Sequence, residues 1–429
     1  MRIGMWLRRT ISSFAAVFAV ATVCACPAAA TDGYFQTGYG ARQQGLAGAG
    51  VADSRDGTAA SLNPAGIIHA PTEIIYSFSG LYAKRQIEGT GAAGFTPSGP
   101  LESENNWFLV TNSASTYRFN WLPFFDVVTT TSYSNSGINS EYQGATANAC
   151  ASGVFCGGKA GLNLQQYFYS IAGAKRFGNL SVGIAPVVAL QTLEVKGLSA
   201  LPLTSSDPGN LTNRNTDLSW GGGLRAGIEW SLTPSLRFGL AGSTPIWMSR
   251  FEDYRGLLAD GGSFDIPATA QVGVAYDVSP ALTVMLDYKR IWYSGTAALA
   301  NSSSSPGLLG AADGPGFGWR DIDIAKLGVE YRISDSLTLR AGYSYNTSPI
   351  KSADVTTNIL LPYTTQHHLT AGATWRLAPS LDLEFAAIYA PNSSISGAEL
   401  AAIGNAAHTI ELSSSQLELT AGFKYRFGN

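Results

Sequence analysis

The chain has 429 residues, a formal net charge of −3, and only 13% charged residues against 45% hydrophobic ones. Soluble globular domains carry about 25% charged residues, so this composition argues against an ordinary soluble protein. No basic run or stripe is present, which argues against a nucleic-acid partner. Glycine, tyrosine and phenylalanine are abundant, as expected for a sheet with one apolar face and close backbone contacts.

Residues 1–30 are predicted to be a signal peptide. Three arginines near the start precede an apolar stretch at 11–25, and three alanines at 28–30 fit a cleavage site. The mature chain is expected to begin near Thr31. A membrane anchor would need about 20 apolar residues, and the lipoprotein-like run at 23–26 is a poor match. Export argues against a cytoplasmic enzyme.

Residues 31–70 are rich in glycine and do not alternate. About forty residues are too few for a core of their own, so this segment is expected to lie against something larger. A barrel too wide for side chains to fill is often plugged, which predicts a plug, or hatch, inside a barrel. The glycine-rich run 45–50 is not G-x-G-x-x-G, and no Lys-Ser/Thr follows it, so a phosphate loop is not indicated.

Residues 71–429 are predicted to form the barrel, because apolar and polar residues alternate there with period two. The clearest apolar face ends the chain: Leu417, Leu419, Ala421, Phe423, Tyr425 and Phe427. More than ten alternating residues match a tilted strand that crosses a membrane. A soluble β-sandwich also alternates, but its strands run only about 5–6 residues. Its apolar faces also lack the terminal aromatics seen here, which are typical of interfacial girdles: Tyr345, Trp375, Tyr389 and Phe427.

Short turns alternate with long polar connections along this region. The short turns are predicted at Gly178-Asn179, Thr233-Pro234, Ser279-Pro280, Ser334-Asp335 and Ala378-Pro379. The long connections are predicted at 135–161, 199–215, 251–262, 297–317, 349–362 and 391–412. This asymmetry is typical of outer-membrane barrels, which have tight periplasmic turns and long outer loops.

The strand count is 14, an even number that places both ends of the barrel on the periplasmic side. One strand is expected at about 71–87, a pair within 104–134, ten more from 162 to 390, and the last at 413–428. The pattern is blurred across 90–160, where it does not define strand ends.

The cysteines and histidines give no metal or catalytic site. Cys150 and Cys156 remain after export, and in an oxidising compartment they are predicted to form a disulfide. His367 and His368 are adjacent on a strand and therefore point to opposite faces. No Ser/His/Asp grouping is evident. We therefore expect no enzyme activity, no cofactor and no metal.

Several stretches resemble the FadL/TodX-type outer-membrane transporters of fatty acids and aromatic hydrocarbons. In the first part of the chain they are Gly33-Tyr34-Phe35-Gln36, Gly38-Tyr39-Gly40-Ala41, the run from Gly48 to Asp53, and Asn63-Pro64-Ala65. Later they include Phe264-Asp265-Ile266-Pro267, Trp319-Arg320-Asp321, Arg340-Ala341-Gly342-Tyr343, Ser348-Pro349 and Leu361-Pro362. The resemblance covers roughly 31–85 and 160–429.

The resemblance implies an all-β fold: a transmembrane antiparallel β-barrel of about 14 strands with an N-terminal hatch in the lumen. It implies that a ligand is captured among the outer loops, passes to an apolar pocket, and leaves sideways through the wall into the membrane. In this family a strand with an inward kink opens that exit, and the kink is expected within 90–160. Partners would be fatty acids or hydrocarbons, outer-membrane lipid and lipopolysaccharide, and the barrel-assembly machinery. The barrel is expected to be a monomer.

The resemblance also suggests site residues in the hatch. Asn63, Pro64 and Ala65 would contact the wall beside the exit; the alternative is a plain turn, since Asn-Pro commonly opens one. Tyr34 and Phe35 would line the ligand pocket, or else simply pack the plug.

Two cations face the lumen by their phase in the alternating pattern. Lys289 and Arg340 are candidates to hold a fatty carboxylate through charge-assisted hydrogen bonds. The alternative is an ion-pair ladder across the lumen with Asp287, Glu330 or Asp382.

Uptake of hydrophobic molecules, with long-chain fatty acids first, is the predicted function. The alternatives are uptake of aromatic hydrocarbons or alkanes by the same fold, and a general porin or adhesin barrel. An outer-membrane enzyme is a more distant rival, since it needs a nucleophile and base held together. A porin conducts ions freely, whereas a plugged barrel conducts little until residues 31–70 are removed.

Overall fold

A computed structural model describes residues 31–427 of the chain apart from 93, 120, 145–154, 156–157, 202–203 and 403. The predicted signal peptide, residues 1–30, lies outside the described residues. So do Cys150 and Cys156, the two cysteines of the predicted disulfide.

Fourteen long antiparallel strands form the wall of the molecule, as the alternating pattern predicts. They are β1 (Glu73–Gly91), β2 (Trp107–Arg118), β3 (Val127–Tyr142), β4 (Ala160–Phe177), β5 (Leu180–Lys196), β6 (Asp217–Ser231), β7 (Leu236–Ser243), β8 (Thr269–Ser279), β9 (Leu282–Ile291), β10 (Ile322–Arg332), β11 (Leu337–Asn346), β12 (His367–Ala378), β13 (Leu381–Ala398) and β14 (His408–Arg426). Two short segments, Gly99–Glu102 and Trp247–Met248, add to β1 and β6.

The sheet closes on itself. The last strand, β14, pairs with β1 over its whole length, from Arg426 opposite Glu73 to His408 opposite Gly91. Each of the fourteen strands therefore has a hydrogen-bonded neighbour on both sides. In lipid, an unpaired backbone group costs several kcal/mol, and closure removes the open edges that would expose such groups.

The two faces of the wall carry the predicted residues. On β14, Leu419 is 57% exposed on the outside, whereas its neighbour Glu418 is buried in the lumen. On β6, Trp220 is 65% exposed on the outside, and Arg225 is buried inside. Three of the four aromatic residues predicted for the girdles are exposed on the outer face: Tyr345, Trp375 and Tyr389. The fourth, Phe427, lies just after the end of β14 and is half-buried.

The short turns lie where the pattern predicts them, between β4 and β5 and at the four later hairpins. Two of the predicted long connections are too long, because β3 continues to Tyr142 and β13 continues to Ala398. The last strand begins at His408, earlier than the predicted 413. The extra residues of β3 and β13 are rich in serine and asparagine rather than apolar residues. Ladder hydrogen bonds continue there without the apolar alternation that a membrane-facing strand requires.

The N-terminal segment (residues 31–70) runs inside the wall, and every residue from 31 to 54 is buried. It begins with a tight pair of two-residue strands, Thr31–Asp32 and Phe35–Gln36. A short helix, α1 (Ala41–Gly45), follows. Two 3-10 helices, Gly57–Ser61 and Pro64–His69, lead to β1.

Glycines on the inner face of the wall let this segment approach closely. A Cβ atom added at Gly239 would overlap the Val51 carbonyl oxygen, and one added at Gly227 would overlap the Asn63 side-chain oxygen. The segment therefore rests directly on the backbone of β6 and β7, through the Asn63 side chain at β6 and its own backbone at β7, and only glycine permits such close contact.

The remaining short helices lie in the long loops at the opposite end from the short turns, called the outer loops below. They are α2 (Ala259–Gly262), α3 (Ala297–Ala300), and the 3-10 helices Pro208–Asn210, Glu252–Tyr254, Tyr293–Gly295, Ser352–Asp354 and Thr357–Ile359. Within the described ranges, no helix combines the length and the apolar character needed to cross a bilayer.

Candidate functional site

A cluster of aromatic rings fills the lumen where the N-terminal segment meets the outer loops. Tyr34 stacks on Phe35 with ring centroids 5.0 Å apart, and it lies 5.3 Å from Tyr293. Trp319 packs edge-on against Tyr293 at 4.9 Å and against Tyr363 at 5.7 Å. All five side chains are buried. These residues form an apolar lining at this level of the lumen, called the aromatic cluster below.

The first turn of the N-terminal segment holds two of these rings in place. Gly33 has a φ of +65°, and a Cβ there would overlap the Tyr293 hydroxyl, so the turn requires glycine. The Tyr34 amide donates to that hydroxyl at 3.1 Å, and the hydroxyl donates to the Asp32 carbonyl at 3.2 Å. Burial raises the pKa of the Tyr34 phenol well above its ordinary value. Tyr34 and Phe35 thus belong to the cluster that faces the outer loops.

The apolar lining continues from the aromatic cluster into the outer loops. A cavity of about 60 Å³ lies among them, and almost all of its lining is apolar. Its walls include Phe155, Leu198, Leu201, Leu258, Phe317 and Leu360. The same buried hydrophobic cluster contains these residues and the rings of Tyr34 and Phe35. Apolar contact is therefore continuous from the loops to the start of the N-terminal segment.

Lys289 faces the lumen as its phase predicts, and there it contacts the N-terminal segment. Its Nζ lies 3.1 Å from Asp32 Oδ2, and Lys326 Nζ lies 2.8 Å from the same oxygen. Lys289 also sits over the Phe35 ring at 5.5 Å from the centroid. Burial alone would raise the pKa of the Asp32 carboxyl, but the two ammonium groups outweigh it and hold that pKa below its usual value.

Arg340 also faces the lumen, and it belongs to a buried ion-pair network. Its Nε donates to Glu330 Oε2 at 2.7 Å, and its Nη1 donates to Thr374 at 2.7 Å. Arg42 of α1 reaches the same Glu330 oxygen at 3.0 Å and Asp53 at 3.0 Å. The Arg340–Glu330 pair is one of the ion pairs that the alternative prediction names, whereas Lys289 pairs with Asp32, which that prediction does not include. A ligand role for either cation stays a prediction.

The Asn63-Pro64-Ala65 tripeptide caps the second 3-10 helix and touches the wall. The Asn63 amide nitrogen donates to the carbonyls of Val51 at 2.7 Å and of Ile228 at 2.9 Å. Its oxygen accepts from the Ala65 amide at 3.0 Å. One side chain therefore joins two parts of the N-terminal segment to β6.

A one-residue bulge interrupts β3 at Asn135, within the region where the sequence pattern is blurred. Ser134 pairs with Tyr167 of β4, and Ser136 pairs with the next residue, Gln166, so Asn135 is the extra residue. Its amide donates to the Gln166 side chain at 2.9 Å and accepts from the Tyr39 hydroxyl at 2.7 Å. The polar run from 134 to 137, which ends in glycine, is the sequence signal for this bulge.

The bulge coincides with a break in the pairing of β2 with β3. Pairing stops at Asn112 opposite Tyr133. It resumes only before the start of β2, where the Glu104 amide donates to the Glu141 carbonyl at 2.8 Å and the Asn105 side chain donates to Asn139 at 3.0 Å. In the described part of the chain, no backbone hydrogen bond joins residues 106–111 to residues 134–138. These two stretches are called the β2–β3 gap. The Asn63-Pro64-Ala65 tripeptide contacts β5 and β6 instead of this gap.

No metal-ligand cluster is present among the residues that the structure describes. The two adjacent histidines point to opposite faces, as predicted: His367 is exposed and bonds to the Tyr343 hydroxyl, whereas His368 is fully buried.

Comparison with known proteins adds three findings. The sequence profile of the family described as "Outer membrane protein transport protein (OMPP1/FadL/TodX)" matches residues 20–427. A 47 kDa outer membrane protein of Pasteurella multocida is 24% identical over 217 residues, which span 46% of this chain and 48% of that protein. The chain thus spans about half the length of the curated relative it matches.

Two solved structures share the fold. The toluene transporter TodX of P. putida has a TM-score of 0.66 and 16% identity, with 92% of this chain and 99% of that chain covered. A FadL homologue of Pseudomonas aeruginosa has a TM-score of 0.66 and 15% identity, with 92% and 100% covered.

Proposed function

Because the chain belongs to the outer membrane protein transport protein family (OMPP1/FadL/TodX), we propose that it takes up hydrophobic molecules through its barrel. The protein is located in the outer membrane. The N-terminal segment serves as the hatch that keeps the lumen closed to water-soluble molecules. Neither the family nor the fold is that of an enzyme.

The observation that carries the proposal is the continuous apolar lining from the outer loops to Tyr34 and Phe35. A water-filled pore has a polar interior, and such a pore would not favour an apolar molecule. An apolar chain that leaves the lipopolysaccharide layer gains about 0.8 kcal/mol for each buried CH₂ group. The lining therefore suits a hydrophobic ligand better than an ion or a sugar.

The proposed exit is the β2–β3 gap. The interruption lies in the wall, where the ladder between two neighbouring barrel strands lapses over several of the described residues. Tyr39 of the N-terminal segment bonds to Asn135 at the bulge and packs against Tyr133 with ring centroids 4.4 Å apart. A shift of the hatch would therefore free the inner side of the gap for the ligand.

Long-chain fatty acids are the ligand class that we favour, since an acyl chain can follow an apolar lining of this length. Aromatic hydrocarbons are the second candidate, favoured by the fold shared with TodX, which is described as a toluene transporter. We further expect a monomer that is inserted by the barrel-assembly machinery and surrounded by lipid and lipopolysaccharide.

The test compares ligand capture by the wild type with two tryptophan variants. Trp319→Ala opens the aromatic cluster, whereas Trp220→Ala removes a lipid-facing ring and serves as the matched control. Hydrophobic molecules that co-purify are identified by lipid extraction and mass spectrometry, and uptake of labelled oleate and toluene is followed in cells. We expect Trp319→Ala to lower uptake roughly tenfold, equivalent to about 1.4 kcal/mol, and Trp220→Ala to leave it unchanged. Failure of the wild-type protein to capture or take up either molecule would reject the proposed function.

A further inference from the structure

Arg85 is a buried cation that the ion-pair network does not use. It lies on β1, faces the lumen, and is 5% exposed. One of its terminal nitrogens donates to the Asn105 carbonyl at 2.7 Å, and its guanidinium lies 5.1 Å from the centroid of the Phe108 ring. Its Nε is buried without a partner among the described residues. The guanidinium is therefore only partly satisfied.

No carboxylate faces Arg85 in the described part of the chain. The ionisable groups that face it are the phenols of Tyr142 and Tyr363. The residues outside the described ranges include no Asp or Glu, so they supply no side-chain carboxylate either. A buried guanidinium without an anion is costly, so this position favours any ligand that brings a negative charge.

Most other buried cations of the lumen are already neutralised. A carboxylate lies within 3.1 Å of each of these side chains: Arg42, Lys289, Lys326, Arg340 and Lys424. Among the described residues, Arg225 is the other buried arginine without an acidic partner, but its Nη1 donates to the Tyr133 hydroxyl at 2.7 Å. Arg85 thus differs from these cations in having a free donor and no anion.

Other unsatisfied polar atoms surround Arg85. The Tyr142 hydroxyl and the Gln416 side-chain oxygen are buried without partners in the described residues. Arg85 is paired with Ser414 in the β1–β14 ladder, and Gln416 lies two residues further along β14. The Tyr142 hydroxyl can donate a hydrogen bond, as a bound carboxylate requires. The position therefore offers an ionic contact and an added donor to one anionic group.

The same position adjoins the β2–β3 gap and an apolar cluster. The Asn105 carbonyl accepts the Arg85 hydrogen bond, and the Asn105 side chain donates to Asn139 just beyond the end of the gap that is nearer the outer loops. Leu81, Ala83 and Phe108 form a buried apolar cluster beside the gap. Leu81 is four residues from Arg85 on the same strand, about 13 Å at the rise of a strand. An anionic head at Arg85 would thus leave its apolar chain along this cluster.

We propose that Arg85 binds the carboxylate of a long-chain carboxylic acid at the rim of the β2–β3 gap. The inference rests on the proposed function and narrows its ligand class, since a hydrocarbon has no group for this site. The acid arrives deprotonated, and no bond forms or breaks: the carboxylate accepts hydrogen bonds from the guanidinium while the chain lies against Leu81 and Phe108.

The experiment measures the binding of labelled oleate and of labelled oleyl alcohol, an uncharged analogue, to the full-length protein in detergent. The variants are Arg85→Gln, Arg85→Lys and, as a control, Lys84→Gln, which removes a cation from the outer face of the same strand. We expect Arg85→Gln to weaken oleate binding roughly tenfold or more, the value of a charge-assisted hydrogen bond, with alcohol binding unchanged. Arg85→Lys should restore part of the oleate affinity, and Lys84→Gln should bind both like the wild type.

The proposal would be overturned if the wild type and Arg85→Gln bound oleate equally well. It would also be overturned if Arg85→Gln and Arg85→Lys each lost oleate binding and alcohol binding to the same extent. If the wild type binds the alcohol and Arg85→Gln changes neither affinity, only the proposed anion site is rejected, and the proposed function stands. A wild-type protein that binds neither probe fails the proposed function as well.

Discussion

At the scale of single residues, ion pairs such as the one between Asp56 and Lys424 hold the N-terminal segment against the wall. Asp56 precedes the first 3-10 helix, where its carboxylate accepts from the Thr58 amide at 3.0 Å. Lys424 of β14 lies 3.1 Å from Asp56 and 3.1 Å from Glu384. Burial alone would raise the pKa of the Asp56 carboxyl, but the Lys424 and Arg42 cations outweigh it and lower the pKa to about 2. The segment is therefore docked by groups whose charge depends on pH.

Acid should release the N-terminal segment. Because the pKa of Asp56 is lowered from 3.8 to about 2 on folding, its contribution is complete above pH 3.8 and is lost as the pH falls through 2. That contribution is on the order of 2 kcal/mol. In planar bilayers we expect few channel openings between pH 7 and 5, and frequent openings as the pH falls from about 4 to 2.

The Asp56→Asn variant supplies the control for this titration, since its amide oxygen still accepts from Thr58 but carries no charge. It should open roughly tenfold more often than the wild type at pH 7. An opening frequency that is the same from pH 7 to 2, and the same in Asp56→Asn, would show that this ion pair does not dock the segment.

Among the elements, β3 departs furthest from regular pairing. The extra residue at Asn135 shifts the register against β4, so the inward-facing residues are odd-numbered before it and even-numbered after it. A bulge bends its strand and disrupts the neighbouring ladder, which accounts for the lost pairing with β2. The side chains of Tyr39 and Gln166 satisfy the Asn135 amide and stabilise the bulge.

Deleting Asn135 should close the gap. Ser134 and Ser136 would then be consecutive, the register with β4 would be regular, and residues 107–111 of β2 could pair with β3. We expect uptake to fall roughly tenfold or more while the barrel still folds, as judged by its resistance to unfolding in detergent at room temperature. The Asn135→Ala variant keeps the extra residue and should retain most of the uptake. Normal uptake by the deletion variant would rule out this exit.

Strands β14, β9 and β3 together show how far the sequence predicts the structure. The outer face of β14 was predictable, because lipid demands an apolar residue at every second position such as Leu417 and Leu419. The lumen-facing residues obey no such rule. Phase predicts that Lys289 points inward, but its partner Asp32 is 257 residues away. The polar run from 134 to 137 is a local signal for a bulge, but the contact of Asn135 with Tyr39 involves another part of the chain, so the local sequence could not place the extra residue at Asn135.

At the scale of the whole molecule, the wall and the N-terminal segment are held by different forces. The wall closes through backbone hydrogen bonds from β1 round to β14. The segment is held by charges and side-chain hydrogen bonds, including the two Asp287 contacts with the Gly50 and Val51 amides at 2.9 Å. Water can replace such polar contacts, whereas it cannot close a sheet in lipid. The segment is thus able to move without unfolding the wall.

Removing the segment should therefore turn the barrel into an open pore. In a variant that lacks residues 31–70, the wall charges that face the segment become hydrated, and the ladder of fourteen strands keeps all of its pairings. A lumen of this width then conducts ions, so we expect a steady conductance roughly tenfold or more above that of the full-length protein. The measurement is single-channel conductance in planar bilayers, with the fold checked by circular dichroism. If the full-length protein already conducts like the shortened one, residues 31–70 do not close the lumen and the chain acts as a general porin.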